Sequence, residues 1–413
     1  MSAGISQKES LLPRMKSRFG IHKQPMNSHK RSIRSHKRCL HSADAWFLLF
    51  VLLLGLGTLL GLSRFATVVN IQASTVRSGI ATPPTAITNG TQVPALPATV
   101  QAAHIHLYRV SSTNVGLMQP SVDAQGNVWV GEMSANRLAR LDSHTGVVTT
   151  WIPPHAQSDI MSTAVDTHGN VWFVEQNADY IGRFDPAQQT FHMFPLDTLL
   201  GYPLGPQDLQ FDASGFLWFT AFDGGRIGRL DPTTGAIQTW PVPPPAPGVP
   251  STPFGLAVTP TEQVWFGDLI GGAIGHLDPT TGRVTFYHLA DPQAQVFSLA
   301  ADSTGRLWFT EMVPGKLGMI DPATGKVTEW PVPTVAGHPA ALYQLVVTRN
   351  GDAWFVNNEA DALVRYVPGK AVYTFFQLDL PSSAPYGLAL DPAGRLWFTA
   401  TSSSANYVGQ MAP

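Results

Sequence analysis

Short apolar segments separated by turn residues repeat seven times along the chain. Around each signature Trp the copies follow a similar pattern: an apolar stretch, Asp-x-x-Gly, Leu/Val-Trp-Phe, Ile/Leu-Gly-Arg and a turn of the form Asp-Pro-x-Thr-Gly. The tryptophans that mark the copies are spaced 43 to 47 residues apart: Trp129, Trp172, Trp218, Trp265, Trp308, Trp354 and Trp397. Because Asp, Pro and Gly favour tight turns at these positions, each copy predicts four short strands. Four strands per ~45 residues are typical of a propeller blade, so the sequence predicts an all-β, seven-bladed β-propeller.

The two ends of the repeat region predict how the ring closes. The last copy stops near Gln410 without an outer strand, whereas an extra strand at 104–110 precedes the first copy. Pairing the two would cover edges that would otherwise stay open. This places the propeller domain at 104–413. The repeated tryptophans are expected to pack between neighbouring sheets.

An uncharged apolar segment precedes the repeats at 45–62. As a helix it would be ~27 Å long, close to the hydrocarbon thickness of a bilayer. We expect a single transmembrane signal-anchor helix. A cleaved signal peptide and a buried core helix remain open as alternatives, although the segment is longer than the 7–15 apolar residues of a usual signal.

Charge divides sharply at this segment. Residues 1–44 contain ten Lys or Arg and two acids, a net charge of +8, and the remaining chain carries 16 basic and 26 acidic residues, a net charge of −10. Because basic residues stay on the cytoplasmic side, the tail at 1–44 is expected inside and the propeller outside the cell. The stretch at 63–103, rich in Thr, Ala and Pro, predicts a flexible stalk.

Composition narrows the classes of protein further. Only 13% of the residues are charged, and 37 Gly, 34 Pro and 11 Trp argue against a coiled coil or a helical bundle. The sequence contains no nucleophile elbow, phosphate loop, zinc motif or basic stripe, so no nucleic-acid partner is expected. The expected partners are the membrane, through one helix, and a small-molecule, peptide or protein ligand on the propeller face.

The repeats resemble those of the streptogramin B lyase (virginiamycin B lyase) family. The resemblance rests on Trp-Phe-Thr-Glu at 308–311, Ile-Gly-Arg, and Thr-Glu-Trp-Pro-Val-Pro at 328–333. It covers about 104–413 and implies a seven-bladed propeller that opens a cyclic depsipeptide antibiotic at its ester by elimination, with Mg²⁺. By this resemblance the activity would be that of a C–O lyase.

The residues that carry this chemistry in the family are replaced here. The family's base is a His in a Pro-His-Gly motif, and the matching motif is Pro385-Tyr386-Gly387. Ala384 stands where one metal-binding acid is expected, and Ala400 or Thr401 where the second is expected. Tyr343 replaces a His that contacts substrate. A phenol has an ordinary pKa of ~10, and Ala and Thr supply no carboxylate for Mg²⁺.

One position at the start of each inner strand is mostly aromatic or Met. The seven residues are Met118, Met161, Gln207, Phe254, Phe297, Tyr343 and Tyr386. They are expected to meet at the mouth of the central channel. Either they only fill the narrowing centre of the ring, or they form an apolar platform that binds a ligand.

Acidic residues occur three positions after four of the tryptophans. They are Glu132, Glu175, Asp268 and Glu311. They are either solvated loop carboxylates or a negative rim that attracts a cation such as Mg²⁺. His155 and His338 lie in loops before inner strands, where each could act as a proton acceptor.

Two functions therefore stay open. The first is a membrane-anchored, extracytoplasmic propeller that binds a ligand on its top face, with the lyase residues replaced. The second is a Mg²⁺-dependent lyase or lactone-opening enzyme acting on a cyclic peptide, with a rearranged set of residues. The candidates for that set are Glu311, Asp268, His338 and Tyr343, with His338 and Glu311 as the catalytic pair.

Overall fold

Seven β-sheets form the described part of the chain, confirming the predicted all-β, seven-bladed propeller. The computed structural model describes residues 91–92, 96–101, 104–111, 115–197, 203–335, 337–380, 382–401 and 406–412. The predicted tail at 1–44 and apolar segment at 45–62 lie outside these residues. Within the part that the structure describes, no helix has the length and apolar character needed to span a membrane.

Blades 1 to 4 each contain four strands, which follow one another from the centre of the ring outward. Blade 1 consists of β4 (Ser121–Val122), β5 (Val128–Glu132), β6 (Arg137–Leu141) and β7 (Val148–Trp151). Blade 2 consists of β8 (Ile160–Val165), β9 (Val171–Glu175), β10 (Tyr180–Asp185) and β11 (Thr190–Pro195). Blade 3 consists of β12 (Pro206–Phe211), β13 (Leu217–Ala221), β14 (Arg226–Leu230) and β15 (Ile237–Pro241). Blade 4 consists of β16 (Pro253–Val258), β17 (Val264–Asp268), β18 (Ala273–Asp278) and β19 (Arg283–His288).

Blades 5 to 7 recruit strands from the start of the described chain. Blade 5 consists of β20 (Val296–Ala301), β21 (Leu307–Glu311), β22 (Lys316–Asp321), β23 (Lys326–Pro331) and β1 (Thr91–Gln92). Blade 6 consists of β24 (Leu342–Val347), β25 (Ala353–Asn357), β26 (Ala362–Val367), β27 (Val372–Gln377) and β2 (Ala98–Gln101). Blade 7 consists of β28 (Pro385–Leu390), β29 (Leu396–Thr401), β30 (Asn406–Met411) and β3 (Ile105–Ser111).

The ring closes as the sequence predicts, because β3 is the outer strand of blade 7 and pairs antiparallel with β30. Side chains strengthen this closure from inside the ring. The Thr399 hydroxyl accepts a hydrogen bond from Gly387 N at 2.8 Å and donates to Met118 O at 3.1 Å. Thr401 Oγ1 bonds both N and O of Leu117. These contacts tie the last blade to the segment that leads into the first.

Residues assigned to the flexible stalk instead form strands on the propeller. β1 pairs in parallel with β23, and β2 pairs in parallel with β27. The chain thus extends the outer edges of blades 5 and 6 before it enters blade 7. The predicted boundary at residue 104 is therefore too late, because extended backbone at an open edge satisfies that edge's hydrogen bonds. The stalk residues 63–90 lie outside the described chain.

The repeated tryptophans are buried, at most 2% exposed, which confirms their predicted packing between blades. The sequence motif also serves a second purpose. In five blades the indole N–H donates to the Asp of the preceding Asp-x-x-Gly turn, for example Trp218 to Asp212 at 2.7 Å. Blade 4 has Thr259 in place of the Asp, and the indole nitrogen of Trp265 has no partner among the described residues. The spacing of six residues is thus set by a hydrogen bond as well as by a turn.

Candidate functional site

A β-bulge interrupts the inner strand in blades 2 to 7, at the position where the sequence predicts the ring of apolar residues. In blade 2, Ile160 pairs with Glu175 and Thr163 with Phe173, so that two inner-strand residues face one residue of β9. Equivalent shifts occur in the other five blades. A bulge re-aims side chains, which explains how neighbouring residues of one strand can both line the centre of the ring.

The four aromatic members of the predicted ring pack on one another, and we call them the aromatic layer. Phe297 contacts Phe254, Tyr343 and Tyr386 with ring centroids 4.8, 4.7 and 5.7 Å apart. Tyr343 and Tyr386 are 5.4 Å apart. All seven predicted residues, the other three being Met118, Met161 and Gln207, are only 3 to 8% exposed. This burial favours the interpretation that they fill the centre of the ring, and their role in ligand binding stays a prediction.

Burial in the aromatic layer also changes the pKa of Tyr386, the residue at the position expected to carry the family's base. Burial, together with the charges of Tyr343 and Asp208, raises the pKa of Tyr386 above its ordinary value. Burial and Glu359 do the same for the pKa of Tyr343. A phenol already titrates far above neutral pH, so these shifts move both tyrosines further from acting as bases.

The positions expected to hold Mg²⁺ offer no carboxylate and are used structurally. Ala384 has a φ of 43° and its N–H donates to Asp361 Oδ1 at 3.1 Å. Ala400 is buried, and Thr401 bonds Leu117. Among the described residues, no group of three His, Cys, Asp or Glu could hold a metal ion. The family's metal site therefore does not fit these residues.

The four acidic residues are completely buried, so the expectation of solvated loop carboxylates is wrong, and their role in attracting a cation stays a prediction. Three of them hold loops or neighbouring strands. Glu132 accepts from Arg137 Nε at 2.6 Å. Asp268 accepts from Thr252 N at 2.9 Å and from Gly271 N at 2.7 Å. These internal bonds replace the water that an exposed carboxylate would bind.

Glu311 lies in a buried group of charges in blade 5. Lys316 Nζ donates to Glu329 at 2.8 Å and lies 3.7 Å from Glu311, and Ala290 N also donates to Glu329. Neither oxygen of Glu311 accepts a hydrogen bond from the described residues. Burial and the Glu329 charge raise the pKa of Glu311 to about 9, against the opposing effect of Lys316. This shift favours the protonated, neutral form of Glu311 at neutral pH, and the role of Glu311 in catalysis or metal binding stays a prediction.

The two histidines differ in how they are held. His338 has an exposed side chain, and among the described residues no hydrogen bond or ion pair joins it to the buried Glu311. His155 is held firmly: its Nδ1 is 2.6 Å from Glu175 Oε2, and its ring stacks on Tyr180 at 4.0 Å. Ser158 Oγ donates to the same carboxylate at 3.0 Å. The structure thus joins His155 with Glu175, a pair that the sequence treated separately.

One buried polar residue was missed by the sequence reasoning. Asp208 directly follows the ring position of blade 3 and is 9% exposed. Its carboxylate accepts a hydrogen bond from Leu256 N in the next blade at 3.0 Å. Burial raises the pKa of Asp208 to about 6, and backbone hydrogen bonds oppose this shift. The available signal was the residue after the ring position, which is polar or Gly in every repeat: Gln119, Ser162, Asp208, Gly255, Ser298, Gln344 and Gly387.

The sequence profile of the virginiamycin B lyase family matches residues 87–344, more than half of the chain. The chain belongs to the virginiamycin B lyase family. This confirms the resemblance drawn from the repeats. The match begins before residue 104 and so includes β1 and β2. A comparison with curated proteins finds no match.

Solved structures agree on the fold of this family member. Virginiamycin B lyase from Staphylococcus aureus is 23% identical, with a TM-score of 0.66, and the match covers 75% of this chain and 99% of that one. A catalytically inactive form of that enzyme with quinupristin is 22% identical, with a TM-score of 0.66 and coverage of 75% and 99%. YCF48 bound to D1 peptide is 14% identical, with a TM-score of 0.60 and coverage of 77% and 98%. At these identities the likeness shows the propeller fold alone.

Proposed function

We propose that this member of the virginiamycin B lyase family is a membrane-anchored, extracytoplasmic ligand-binding propeller that lacks the family's lyase chemistry. The observation that carries the proposal is Tyr386, which stands at the position of the base and is buried in the aromatic layer. Elimination needs a group that is unprotonated near pH 7, and the raised pKa of this phenol opposes that. Ala384, Ala400 and Thr401 support the proposal, because they offer no carboxylate for Mg²⁺.

Peptides are the ligand class that the similar structures suggest. An inactive virginiamycin B lyase was solved with quinupristin, and YCF48 was solved bound to D1 peptide. Both proteins are propellers of similar fold, and a buried aromatic layer can support a ligand that rests on the face above it. For this chain we propose a cyclic or linear peptide on the end of the ring where the inner strands begin.

An assay with quinupristin tests the loss of catalysis. Full-length protein is incubated with quinupristin, with Mg²⁺ or with EDTA, and the ring-opened product is separated by reversed-phase chromatography. We expect no product in either condition, whereas virginiamycin B lyase from S. aureus serves as the active control. Ring opening that needs Mg²⁺ would overturn the proposal. Titration calorimetry in the same buffers measures binding, with Tyr386→Ala expected to weaken it and Tyr386→Phe as the matched control.

The membrane anchor rests on the apolar segment at 45–62 and on the charge difference across it. Cys39 is the single cysteine of the chain and lies in the basic tail. We expect a membrane-impermeant maleimide to leave Cys39 unlabelled on intact cells and to label it after permeabilisation. The matched control is Cys39→Ser with Ala393→Cys, since Ala393 is exposed in a turn of blade 7. Labelling of Cys39 on intact cells would contradict the proposed orientation.

A second candidate function rests on His155. The contact between Nδ1 and Glu175 holds the imidazole in one orientation and leaves Nε2 for a substrate. Turnover that is independent of Mg²⁺ and is lost in His155→Gln would favour this function over binding alone. His155→Gln keeps a polar side chain of similar length, so that the loop has a substitute hydrogen-bond donor.

A further inference from the structure

A cavity of about 710 Å³ occupies the central channel on the other side of the aromatic layer. Its walls come from the second halves of all seven inner strands, and it extends to turn residues such as Ala213 and Pro260. The walls combine polar surface with apolar side chains, Val165, Leu256 and Leu345 among them. The volume lies in the range of ordinary ligand sites. The channel therefore forms a second concave site, separate from the face where the inner strands begin.

The charged side chains that line this channel are all acidic. The lining contains Asp208 and Asp212 but neither Lys nor Arg. The Asp212 carboxylate accepts hydrogen bonds from Phe216 N in its own turn and from the Trp218 indole N–H. Asp208 lies at the inner end of the channel, and no cation among the described residues acts on it.

The contacts of Asp208 are all with neutral donors. Ser162 Oγ donates at 3.2 Å, Leu209 N at 2.8 Å and Leu256 N at 3.0 Å. The side chain of Gln119 also donates to this carboxylate. Such donors satisfy the oxygens but leave a net negative charge in a buried place, which favours a cation nearby.

A small cavity of about 10 Å³ lies at this inner end, between Asp208 and the aromatic layer. Its volume is close to that of a single water molecule. Its lining combines Met161 with oxygen-bearing side chains and aromatic rings: Gln119, Gln207, Asp208, Gln344, Phe254, Phe297 and Tyr386. Carboxylate and amide oxygens accept from an ammonium group, and aromatic faces attract its charge. An –NH₃⁺ group fits this cavity, whereas a trimethylammonium group is too large for it.

We propose that the central channel binds a primary organic ammonium compound, with the –NH₃⁺ group beside Asp208 and the hydrocarbon part along the apolar side chains of the wall. The channel opens at the end of the Asp-x-x-Gly turns, away from the face proposed for peptides. The two proposals can therefore fail independently. Occupation of one end of the ring does not require occupation of the other.

Calorimetry with small amines tests this site in the full-length protein at pH 7.5. n-Butylammonium chloride is expected to bind saturably, whereas butyltrimethylammonium chloride, n-butanol and sodium butyrate bind at least about tenfold more weakly. The trimethyl compound keeps the charge and changes the size of the head group. Equal binding of the primary and trimethyl compounds, or no saturable binding of butylammonium, would overturn the proposal.

Two variants test separately the negative charge of Asp208 and the free volume of the channel. Asp208→Asn removes the charge at nearly constant shape and is expected to weaken butylammonium binding at least about tenfold. Asp379→Asn makes the same change at an exposed site and is the matched control. If Asp208→Asn does not fold, Ala164→Phe narrows the channel wall without changing charge and is expected to weaken binding similarly. Unchanged affinity in whichever of the two variants folds contradicts the proposed site.

Discussion

Replacing Glu311 by Gln is expected to stabilise the protein, by about 3 kcal/mol in the free energy of unfolding at pH 7. The reason is the raised pKa of this carboxyl group, about 9 in the folded protein against 4.5 for an unperturbed Glu. Between these two pH values the folded protein binds one proton more than the unfolded chain. Stability therefore falls as pH rises through this range, by ~1.4 kcal/mol per pH unit. Gln keeps the shape and has no proton to lose.

The buried group around Glu311 explains the sign of this effect. Lys316 makes its short contact with Glu329, at 2.8 Å, and is 3.7 Å from Glu311. One lysine thus faces two carboxylates, and the second can stay only as a neutral acid. In that form it can donate a hydrogen bond to Glu329.

Urea unfolding of the wild type and Glu311→Gln at pH 5, 7 and 9 measures the effect. The difference between their free energies of unfolding should grow with pH, because only the wild type has the Glu311 carboxyl group, whose raised pKa lowers stability as pH rises. Glu329→Gln is the matched control, and it should destabilise the protein because it removes the close partner of Lys316. A pH-independent difference, or a less stable Glu311→Gln, would show that Glu311 is ionised in the folded protein.

Gly318→Ala is expected to destabilise the protein by about 3 kcal/mol through overpacking. A Cβ at this position would lie 1.9 Å from Cζ of Phe309, its cross-strand partner. The same Phe ring over Gly recurs in four other blades, at Gly182, Gly228, Gly275 and Gly409. In these five blades the Gly of the third strand is therefore matched to the Phe that follows the signature Trp.

Thermal and urea unfolding of two further variants test the cause of this loss. Gly369→Ala is the control, since a Cβ there meets nothing within 4 Å, and it should change stability little. Blade 1 pairs Val130 with Ala139 instead of Phe with Gly. Phe309→Val combined with Gly318→Ala copies that pair and should lose less than the two single variants together. Additive losses would mean that the ring does not cause the destabilisation.

Sequence reasoning predicted the fold well because its signals are local. The turn residues and the regular return of Trp fix four strands per blade, and a missing outer strand near Gln410 matched the extra strand before the first blade. It failed at 91–101, where a Thr- and Pro-rich stretch without strong periodicity forms β1 and β2. Those strands form because open edges of blades 5 and 6 accept them, and the segment itself carries little signal for that.

The candidate site was predicted less completely, because burial depends on neighbouring blades. Glu132, Glu175, Asp268 and Glu311 were identified by their spacing from Trp, yet their complete burial follows from the loops that cover them. The partnership of His155 with Glu175 joins residues 20 positions apart across a blade. The importance of Asp208 depends on Leu256 N, which lies 48 residues further along the chain.

The sequence alone determined the number of blades, the closure of the ring and the family. Repeats, turns and motifs are read within one blade, where residues close in sequence are close in space. The tertiary structure alone decided that the aromatic layer is buried at the centre of the ring, that burial and Glu329 raise the pKa of Glu311, and that Asp208 has only neutral donors around it at the inner end of a cavity. These properties arise where side chains from different blades meet, and the desolvation and charge balance there depend on all of them together.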